Sequence, residues 1–402
     1  EGFASRRHKV RDNLLGVPGF CPVVRRTTKL VELMGTPIDE EARALVAGCD
    51  QEVLVRAVNW LYTKETKSSF EIERETATGK RAERFVSALR SARDLNTSDP
   101  KALIDLQNII VDPRYAAGGY RDFQNFVGET VGGHREIVHF ICPKPGDVDD
   151  LMAGWAEMAE RLNGATNPVV AAALVAFGFV FIHPFEDGNG RIHRFLIHRV
   201  LDKEGFTPPG VLFPVSAAIV RDPASYDRAL ESFSNAIEPF VDWRWTSGSV
   251  FQRELTVDNA TDHLYRYFDA TSQAEFLYEK VLETVRVDLR DEIAFVTQYD
   301  AALAAVRDAI DMPDRRASLF VRLLMQNGGR LSKSRRRSKP RGSRGRAFRT
   351  TTATRRRSTP SPLRGSPPCR KRGSDAASPL QDRPGQRPSL LPRTRVLPML
   401  GP

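Results

Sequence analysis

The feature that most constrains the fold is an uninterrupted apolar run from Pro168 to Ile182, PVVAAALVAFGFVFI. A segment that is apolar on nearly every side must be buried, and Asn167 followed by Pro168 is typical of a helix start. The run is shorter than the roughly 18 to 20 residues of a membrane span, and charged residues follow it at once. The sequence therefore predicts a helix buried in the core of a soluble protein, with no membrane partner.

Helical periodicity dominates most of the remaining chain. Apolar residues recur three and four positions apart from Pro37 onward, again after Asp147, and in a heptad-like stretch over residues 270–310. Residues 119–143 differ, because a Gly-Gly pair separates two stretches of mixed alternation, which favours a small β-hairpin. The stretch 316–337 resembles the opening of a helix-turn-helix or winged helix. We therefore expect a mainly α fold with one small hairpin.

Charge is distributed unevenly along the chain, whose net charge is +10. Residues 330–402 hold 21 Lys and Arg against 2 Asp, whereas residues 1–329 hold 39 basic and 48 acidic residues. The body is thus mildly acidic, and a basic tail carries the whole positive balance. Four scattered cysteines without a CxxC pair, and no signal-peptide pattern, favour a reducing cytoplasm over a disulfide framework or zinc ribbon.

The tail from about Ser334 has almost no periodic apolar face, which is typical of disorder. Three interpretations stay open: a solvated extension, a nucleic-acid-binding arm, or a reading frame lost in the gene. No function is based on it. The expected organisation is an irregular segment (1–35), a helical region (36–115), a catalytic core (116–245), a C-terminal helical region with the start of a winged helix (246–333), and the tail (334–402).

Directly behind the apolar run, residues 183–194 read HPFEDGNGRIHR. Gly188 and Gly190 permit positive φ angles and close backbone approach, and Asn189 tolerates left-handed geometry. Gly-Asn-Gly leading into a helix creates a pocket of backbone N–H groups at a positive dipole end, which is an anion site. His183 precedes it as a candidate general base near neutral pH.

Three charged residues strengthen this reading. Arg191 and Arg194 share one face of the first helical turn, and two guanidinium groups beside an N–H pocket suit a polyphosphate. Asp187 stands where a carboxylate ligand of a hard cation could bridge phosphate oxygens.

The stretch also has simpler interpretations. A histidine beside a buried helix is often only structural, and Asp-Gly-Asn-Gly is a common turn. A calcium loop lacks its downstream acid, a zinc site lacks HExxH, and neither the Walker A pattern nor the third dinucleotide-fingerprint glycine is present. The conjunction of a base, a carboxylate, an N–H pocket and two arginines favours a phosphate-handling site.

The stretch resembles the Fic family motif, HxFx(D/E)GNGRxxR, at every specified position, including Phe185. Residues 119–143 are similar to the family segment that holds a hairpin flap for docking a target peptide, and Tyr226 and Leu230 to positions lining the adenine pocket. The resemblance covers about residues 30–245 and implies a Fic-type helical bundle with a β-hairpin flap.

The resemblance implies transfer of AMP from Mg·ATP to a protein hydroxyl. His183 would deprotonate the target Ser, Thr or Tyr, and Asp187 would hold Mg²⁺ between the α- and β-phosphates. Asn189 and the glycine N–H groups of Gly188 and Gly190 would fix the α-phosphate. Arg191 would neutralise the pyrophosphate leaving group, Arg194 would hold the γ-phosphate, and Phe185 would anchor the loop in the core. The intact Gly190 counts against Doc, a relative that has lysine there and transfers phosphate.

Ser69 and Glu73 resemble the two main positions of the family's inhibitory motif, (S/T)xxxE(G/N). In the family that glutamate pairs with the second motif arginine, here Arg194, and competes with the γ-phosphate. The chain departs at the last position, where Arg74 could pair with Glu73 and weaken the clamp. The alternative is that Glu71, Glu73 and Glu75 form an ordinary solvated face.

The function expected from the sequence is an adenylyltransferase autoinhibited within one chain, using ATP and Mg²⁺ on a target protein and on itself. Two alternatives stay open: a nucleotide-sensing regulator that binds DNA through its C-terminal region, and an enzyme that removes AMP. The sequence does not decide between a monomer and a homodimer.

Overall fold

The computed structural model describes residues 2–131, 135–246 and 254–330. Its α-helices are α1 (Thr28–Met34), α2 (Ile38–Ala47), α3 (Gln51–Ile72), α4 (Gly79–Arg90), α5 (Pro100–Ile110), α6 (Val148–Arg161), α7 (Pro168–Ile182), α8 (Asn189–Lys203), α9 (Val215–Arg221), α10 (Pro223–Ile237), α11 (Asp262–Arg266), α12 (Thr271–Glu283), α13 (Arg290–Ala309) and α14 (Asp314–Gln326). Its strands are β1 (Phe3–Ser5), β2 (Val10–Asp12), β3 (Phe126–Val131), β4 (Arg135–Ile141), β5 (Trp243–Trp245) and β6 (Leu255–Val257).

The strands form three two-stranded antiparallel sheets, β1–β2, β3–β4 and β5–β6. The predicted mainly α fold with a small hairpin is confirmed, and β3–β4 is that hairpin. Its register pairs Phe126 with Ile141 and shifts between Val127 and Gly128. A side chain on Gly128 would collide with the carbonyl oxygen of Ile137, so the bulge depends on glycine at this position. The predicted Gly-Gly turn lies outside the described residues.

Helix α7 is the central element of the core, as the apolar run predicts. Every residue from Val169 to Ile182 is buried. The side chain of Asn167 accepts hydrogen bonds from the backbone N–H groups of Val169 and Val170, so the predicted cap is confirmed. α7 packs against α6, α8 and α12, and this enclosure gives its C-terminal end a fixed position.

Two close contacts explain why α7 tolerates a glycine in its middle. A Cβ on Gly178 would come within 2.9 Å of the ring of Phe20, so only glycine leaves room for that ring. Beside it the indole N–H of Trp155 donates to the carbonyl oxygen of Val175 over 2.8 Å, which satisfies the one polar group of a fully buried side chain.

Helix α3 brings part of the site to α8. It begins after Asp50 and continues without a break to Ile72. The side chain of Asp50 caps its first turn. The helix packs against α9 and α13, and its C-terminal end delivers Ser69 and Glu73 to the start of α8.

The N-terminal segment is more ordered than the expected irregular residues 1–35. It holds the β1–β2 pair and α1. Thr27 accepts a hydrogen bond from the N–H of Leu30, whose side chain is buried. A helix of seven residues shows less than two full turns, too few for periodicity to reveal it.

The chain divides into a unit that includes Glu1–Ala317 and a second unit, Ser318–Arg393. The second is described as far as Arg330: α14 continues to Gln326, and Gly328 and Gly329 follow with positive φ angles. The rest of the expected winged helix and the basic tail lie outside the described residues. No helix in the described part of the chain is long and apolar enough to traverse a bilayer.

Candidate functional site

The loop between α7 and α8 is held by its own backbone and by one aromatic anchor. Phe185 is buried against Tyr120, at 5.6 Å between ring centroids, which confirms its predicted burial. The amide of Asn189 is bound to the backbone of Phe185 on both sides: Oδ1 accepts from its N–H at 3.0 Å and Nδ2 donates to its carbonyl at 2.7 Å. Asn189 thus shapes the loop with its side chain, and its expected phosphate contact stays a prediction.

Gly188 begins α8 in a left-handed conformation, with φ of 94°, so the loop needs glycine there. Its N–H donates to Oδ1 of Asp187 over 2.8 Å. The following N–H groups open the helix and carry the positive end of its dipole. The arrangement has the geometry of an anion site with a carboxylate at its edge.

His183 ends α7 in the left-handed region, with φ of 53°. Its ring Nδ1 lies 3.1 Å from the carbonyl oxygen of Val180. A carbonyl can only accept, so Nδ1 carries the hydrogen, and Nε2 of the neutral ring keeps its lone pair. Burial lowers the pKa of His183 to about 4. The ring is therefore an unprotonated base throughout the neutral range.

The pKa values of two buried histidines predict how stability depends on pH. Burial lowers the pKa of His183 to about 4 and that of His193 to about 3, from about 6.5 in the unfolded chain. The unfolded state therefore binds more protons as the pH falls below 6.5, and stability is lost over that window. We expect each histidine to remove about 2 kcal/mol from the free energy of unfolding by pH 5. Urea unfolding at pH 7 and pH 5 measures this, and an unchanged value would contradict it.

Two buried polar residues that sequence reasoning missed hold the loop from outside. Arg121 donates from Nε to the carbonyl oxygen of His183 at 2.8 Å and from Nη2 to that of Pro143 at 2.7 Å. Gln107 donates to the carbonyl oxygen of Asp187 at 3.1 Å. Their partners lie 22 to 80 residues away in the chain, and no local pattern marks such contacts.

Removing the guanidinium of Arg121 is expected to destabilise the protein. Arg121→Met would leave the buried carbonyl oxygens of His183 and Pro143 without these donors, so we expect a loss of about 3 kcal/mol in the free energy of unfolding. Arg114→Met, at an exposed arginine that bonds to nearby Asp112, is the matched control and is expected to leave the free energy of unfolding almost unchanged. Equal effects of the two variants in urea would refute the assignment.

Arg194 is bound to the end of α3 through two of its three guanidinium nitrogens. Its Nη2 donates to Oε1 of Glu73 at 2.8 Å and to the carbonyl oxygen of Ser69 at 2.7 Å, and its Nε donates to Oγ of Ser69 at 3.0 Å. Burial disfavours the charge of Arg194, but the Glu73 carboxylate outweighs it and the pKa of the guanidinium is raised. The structure thus brings together three residues predicted from separate motifs.

Arg74, the departure from the inhibitory pattern, has a φ of 53°. The pattern places Gly or Asn at this position, and those residues adopt left-handed geometry at least cost. Arg74 adopts this left-handed geometry, and the preceding residue, Glu73, still contacts Arg194.

Glu73 also lies against the start of α8. A side chain on Gly190 would collide with Oε1 of Glu73, so this carboxylate sits directly over the helix N-terminus. Glu73 lines one cavity with His183, Asp187, and the Gly188–Gly190 segment. The volume of that cavity is about 10 Å³, room for about one water molecule.

Arg191 is held by two carboxylates. Its Nη2 donates to Oδ1 of Asp187 at 2.8 Å, and its Nη1 donates to Oε2 of Glu75 at 3.0 Å. Arg81 pairs with the same oxygen of Glu75, and both arginines lie over the ring of Phe70. Glu75 therefore belongs to the site, although its sequence position suggested only a solvated face.

The two residues expected at the adenine pocket lie on α10, outside the cavity around His183. Tyr226 is buried, with its ring centroid 6.0 Å from that of His193. Burial raises the pKa of Tyr226 to about 12, and the charge of Arg194 opposes that rise. Leu230 is partly buried against the core. Their contact with adenine stays a prediction.

The donor set suits magnesium bound together with phosphates. Among the residues that the structure describes, no three His, Cys, Asp or Glu side chains converge as a metal cluster. Mg²⁺ commonly takes one or two protein carboxylates and completes its shell with substrate phosphates and water. Asp187, at the edge of the N–H pocket, provides such a carboxylate.

Comparison with known proteins places this site in a recognised domain. Residues 97–201 match the sequence profile of the Fic/DOC family. The protein adenylyltransferases Fic of Culex quinquefasciatus and Drosophila melanogaster are each 38% identical, over 101 and 99 residues. That of Nematostella vectensis is 34% identical over 98 residues. Each match covers 24% of this chain, and the chain spans only 18 to 21% of the length of these relatives.

Two solved structures are similar over most of the chain. A Fic family protein from Desulfovibrio desulfuricans has a TM-score of 0.45 and 20% identity, over 76% of this chain and 89% of that one. A Fic-domain signalling protein from Bacteroides thetaiotaomicron has a TM-score of 0.44 and 17% identity, over 66% and 97%. Residues 97–201, the part of the chain that matches this profile, include Gln107, Arg121 and the whole His183–Arg194 stretch.

Proposed function

We propose that the protein transfers AMP from ATP to a hydroxyl group of a protein, including itself. The observation that carries the proposal is the neutral ring of His183, which shares one cavity with Asp187 and the N-terminus of α8. A base, a metal carboxylate and an anion pocket are the groups that displacement at phosphorus needs, because such catalysis is mostly positioning and charge neutralisation.

Nε2 of His183 takes the proton of a Ser, Thr or Tyr hydroxyl, and the hydroxyl oxygen forms a bond to the α-phosphorus. The bond from that phosphorus to the bridging oxygen of the β-phosphate breaks, and pyrophosphate leaves. The N–H groups at the start of α8 bind the α-phosphate, and Arg191 and Arg194 neutralise the departing charge. Bound Mg²⁺, held by Asp187, supplies further charge neutralisation.

We also propose that the described conformation is the inhibited one. Glu73 takes the guanidinium of Arg194 that the γ-phosphate would need, and Glu75 takes part of Arg191. A nucleotide site needs several hundred Å³, whereas the cavity around His183 measures about 10 Å³. The inhibiting residues precede the domain in the same chain, so the inhibition is intramolecular.

Removal of AMP from a modified protein is a second candidate, and one observation favours it. Glu73 and His183 line the same cavity, so the carboxylate could orient a water molecule for attack on a bound AMP ester. In that reaction Glu73→Gly would abolish activity, whereas in AMP transfer the same change would raise it.

A two-label experiment tests the proposal. The full chain and its Glu73→Gly variant are incubated with Mg²⁺, a cell lysate and ATP labelled on either the α- or the γ-phosphate. Protein labelled only from the α-position is the expected result. Labelling from the γ-position would indicate phosphate transfer instead. No labelling from either, although ATP binds, would refute AMP transfer and leave AMP removal or nucleotide sensing.

A further inference from the structure

We infer that a second cavity, between α3, α4, α8 and the loop that follows α8, binds a small carboxylic acid with an apolar body. Its volume is about 230 Å³, and it shares no lining residue with the cavity around His183. The inference concerns binding alone and does not depend on the proposed AMP transfer.

The charged side chains that line the cavity favour a ligand with a single negative charge. Arg90 and Arg93 bring two guanidinium groups to it, and Asp202 brings one carboxylate, which leaves one positive charge in excess. Arg90 is fixed in place, because it donates to Oδ1 of Asn59 at 2.6 Å and lies 4.4 Å from the ring centroid of Tyr62. Guanidinium groups recognise carboxylates by paired hydrogen bonds.

Two hydroxyl groups offer further hydrogen bonds to a ligand. Thr207 lines the cavity and is buried, and its Oγ1 has no hydrogen-bond partner among the described residues. A buried hydroxyl without a protein partner is costly, so this atom is available for a hydrogen bond to a ligand. The hydroxyl of Tyr62 donates to the carbonyl oxygen of Gly210 over 3.4 Å, which is too long for a strong bond.

The remaining wall is largely apolar. Leu89 and Phe213 are buried and line the cavity. His198 is held with Nε2 at 2.9 Å from Oε1 of Glu65, a carboxylate that also accepts from the N–H of Ser216 at 2.8 Å. An apolar wall selects a ligand with a hydrophobic body, and the volume limits that body to about the size of one aromatic ring.

Benzoate is the probe, and benzamide is its uncharged match. Each is titrated into the full chain at pH 7.5 by calorimetry, while the methyl resonance of Thr207 is followed by NMR. We expect benzoate to bind with a Kd in the millimolar range and to shift that resonance, and benzamide to bind about tenfold more weakly. Arg93→Gln is expected to weaken benzoate about tenfold and to leave benzamide unchanged.

Two further variants sharpen the test. Arg84→Gln removes an exposed arginine of α4 that does not line the cavity, and it is expected to leave benzoate binding unchanged. Thr207→Val keeps the shape of the side chain and removes the hydroxyl, so it is expected to weaken benzoate severalfold. Equal affinities for benzoate and benzamide, or equal effects of Arg93→Gln and Arg84→Gln, would overturn the inference, as would the absence of any shift at Thr207.

Discussion

Replacing Glu73 with glycine is expected to raise self-labelling from α-labelled ATP by about ten- to a hundredfold. The carboxylate of Glu73 holds Nη2 of Arg194 at 2.8 Å and covers the N-terminus of α8 at Gly190. A γ-phosphate must displace it, and a charge-assisted hydrogen bond contributes about 1.5–3 kcal/mol. The measurement is the initial rate of label incorporation into the purified chain.

Glu71→Gly is the matched control for this prediction. Glu71 is an exposed residue of the last turn of α3, so the change introduces glycine two positions earlier without removing a contact of Arg194. We expect its labelling rate to equal that of the unaltered chain. If Glu73→Gly and Glu71→Gly label alike, Glu73 does not restrain the reaction.

Glu75 is expected to limit the labelling rate of the Glu73→Gly variant. Its Oε2 still holds Nη1 of Arg191 at 3.0 Å, so one of the two arginines stays engaged. Adding Glu75→Gln, which keeps the shape and removes the charge, should raise the labelling rate further. A double variant no faster than Glu73→Gly would show that the Glu75 contact does not oppose nucleotide binding.

Replacing His183 with alanine is expected to reduce labelling of the Glu73→Gly chain by a factor of about 100 to 10,000. The ring is the only imidazole among the residues that line the described cavity, and its Nε2 keeps a lone pair because Nδ1 is directed at the carbonyl of Val180. General-base catalysis contributes a factor of this size. Binding of ATP should persist, because the phosphate-binding groups belong to α8.

The control for His183→Ala is His8→Ala, which changes an exposed histidine that is distant in sequence from the residues lining the cavity. Labelling by that variant should equal that of the Glu73→Gly parent. Thermal unfolding and ATP titration accompany both variants, so that a misfolded protein is recognised. Full labelling by a folded His183→Ala chain would exclude His183 as the base.

Local signals were sufficient for the elements that hold the site. The ends of α7, Pro168 and Ile182, could be predicted because the apolar run and its cap lie within one stretch of chain. The charged and glycine residues from His183 to Arg194 could be predicted for the same reason, since a loop and one helical turn bring them together. Glu73 could be predicted because it occupies a main position of a second motif.

Contacts between distant segments could not be predicted in the same way. Arg121, Gln107 and Glu75 contact the loop and α8 across 62 to 116 residues, and their neighbours in sequence carry no matching pattern. The contact of Asn189 with its own loop was not predicted for a related reason: an amide can bind a phosphate or its own loop, and the residue type does not distinguish the two.

The contacts of Arg121 have a consequence for target choice. Because the same guanidinium binds the carbonyls of His183 and Pro143, it ties the segment just after β4 to the loop between α7 and α8. If a target strand paired with the edge of β3–β4, each of its residues would lie at a set distance from His183, since each residue of a strand advances about 3.3 Å. A hydroxyl one position earlier or later would point to the opposite face, so selectivity would be set by the place of the residue in the docked strand as well as by its type.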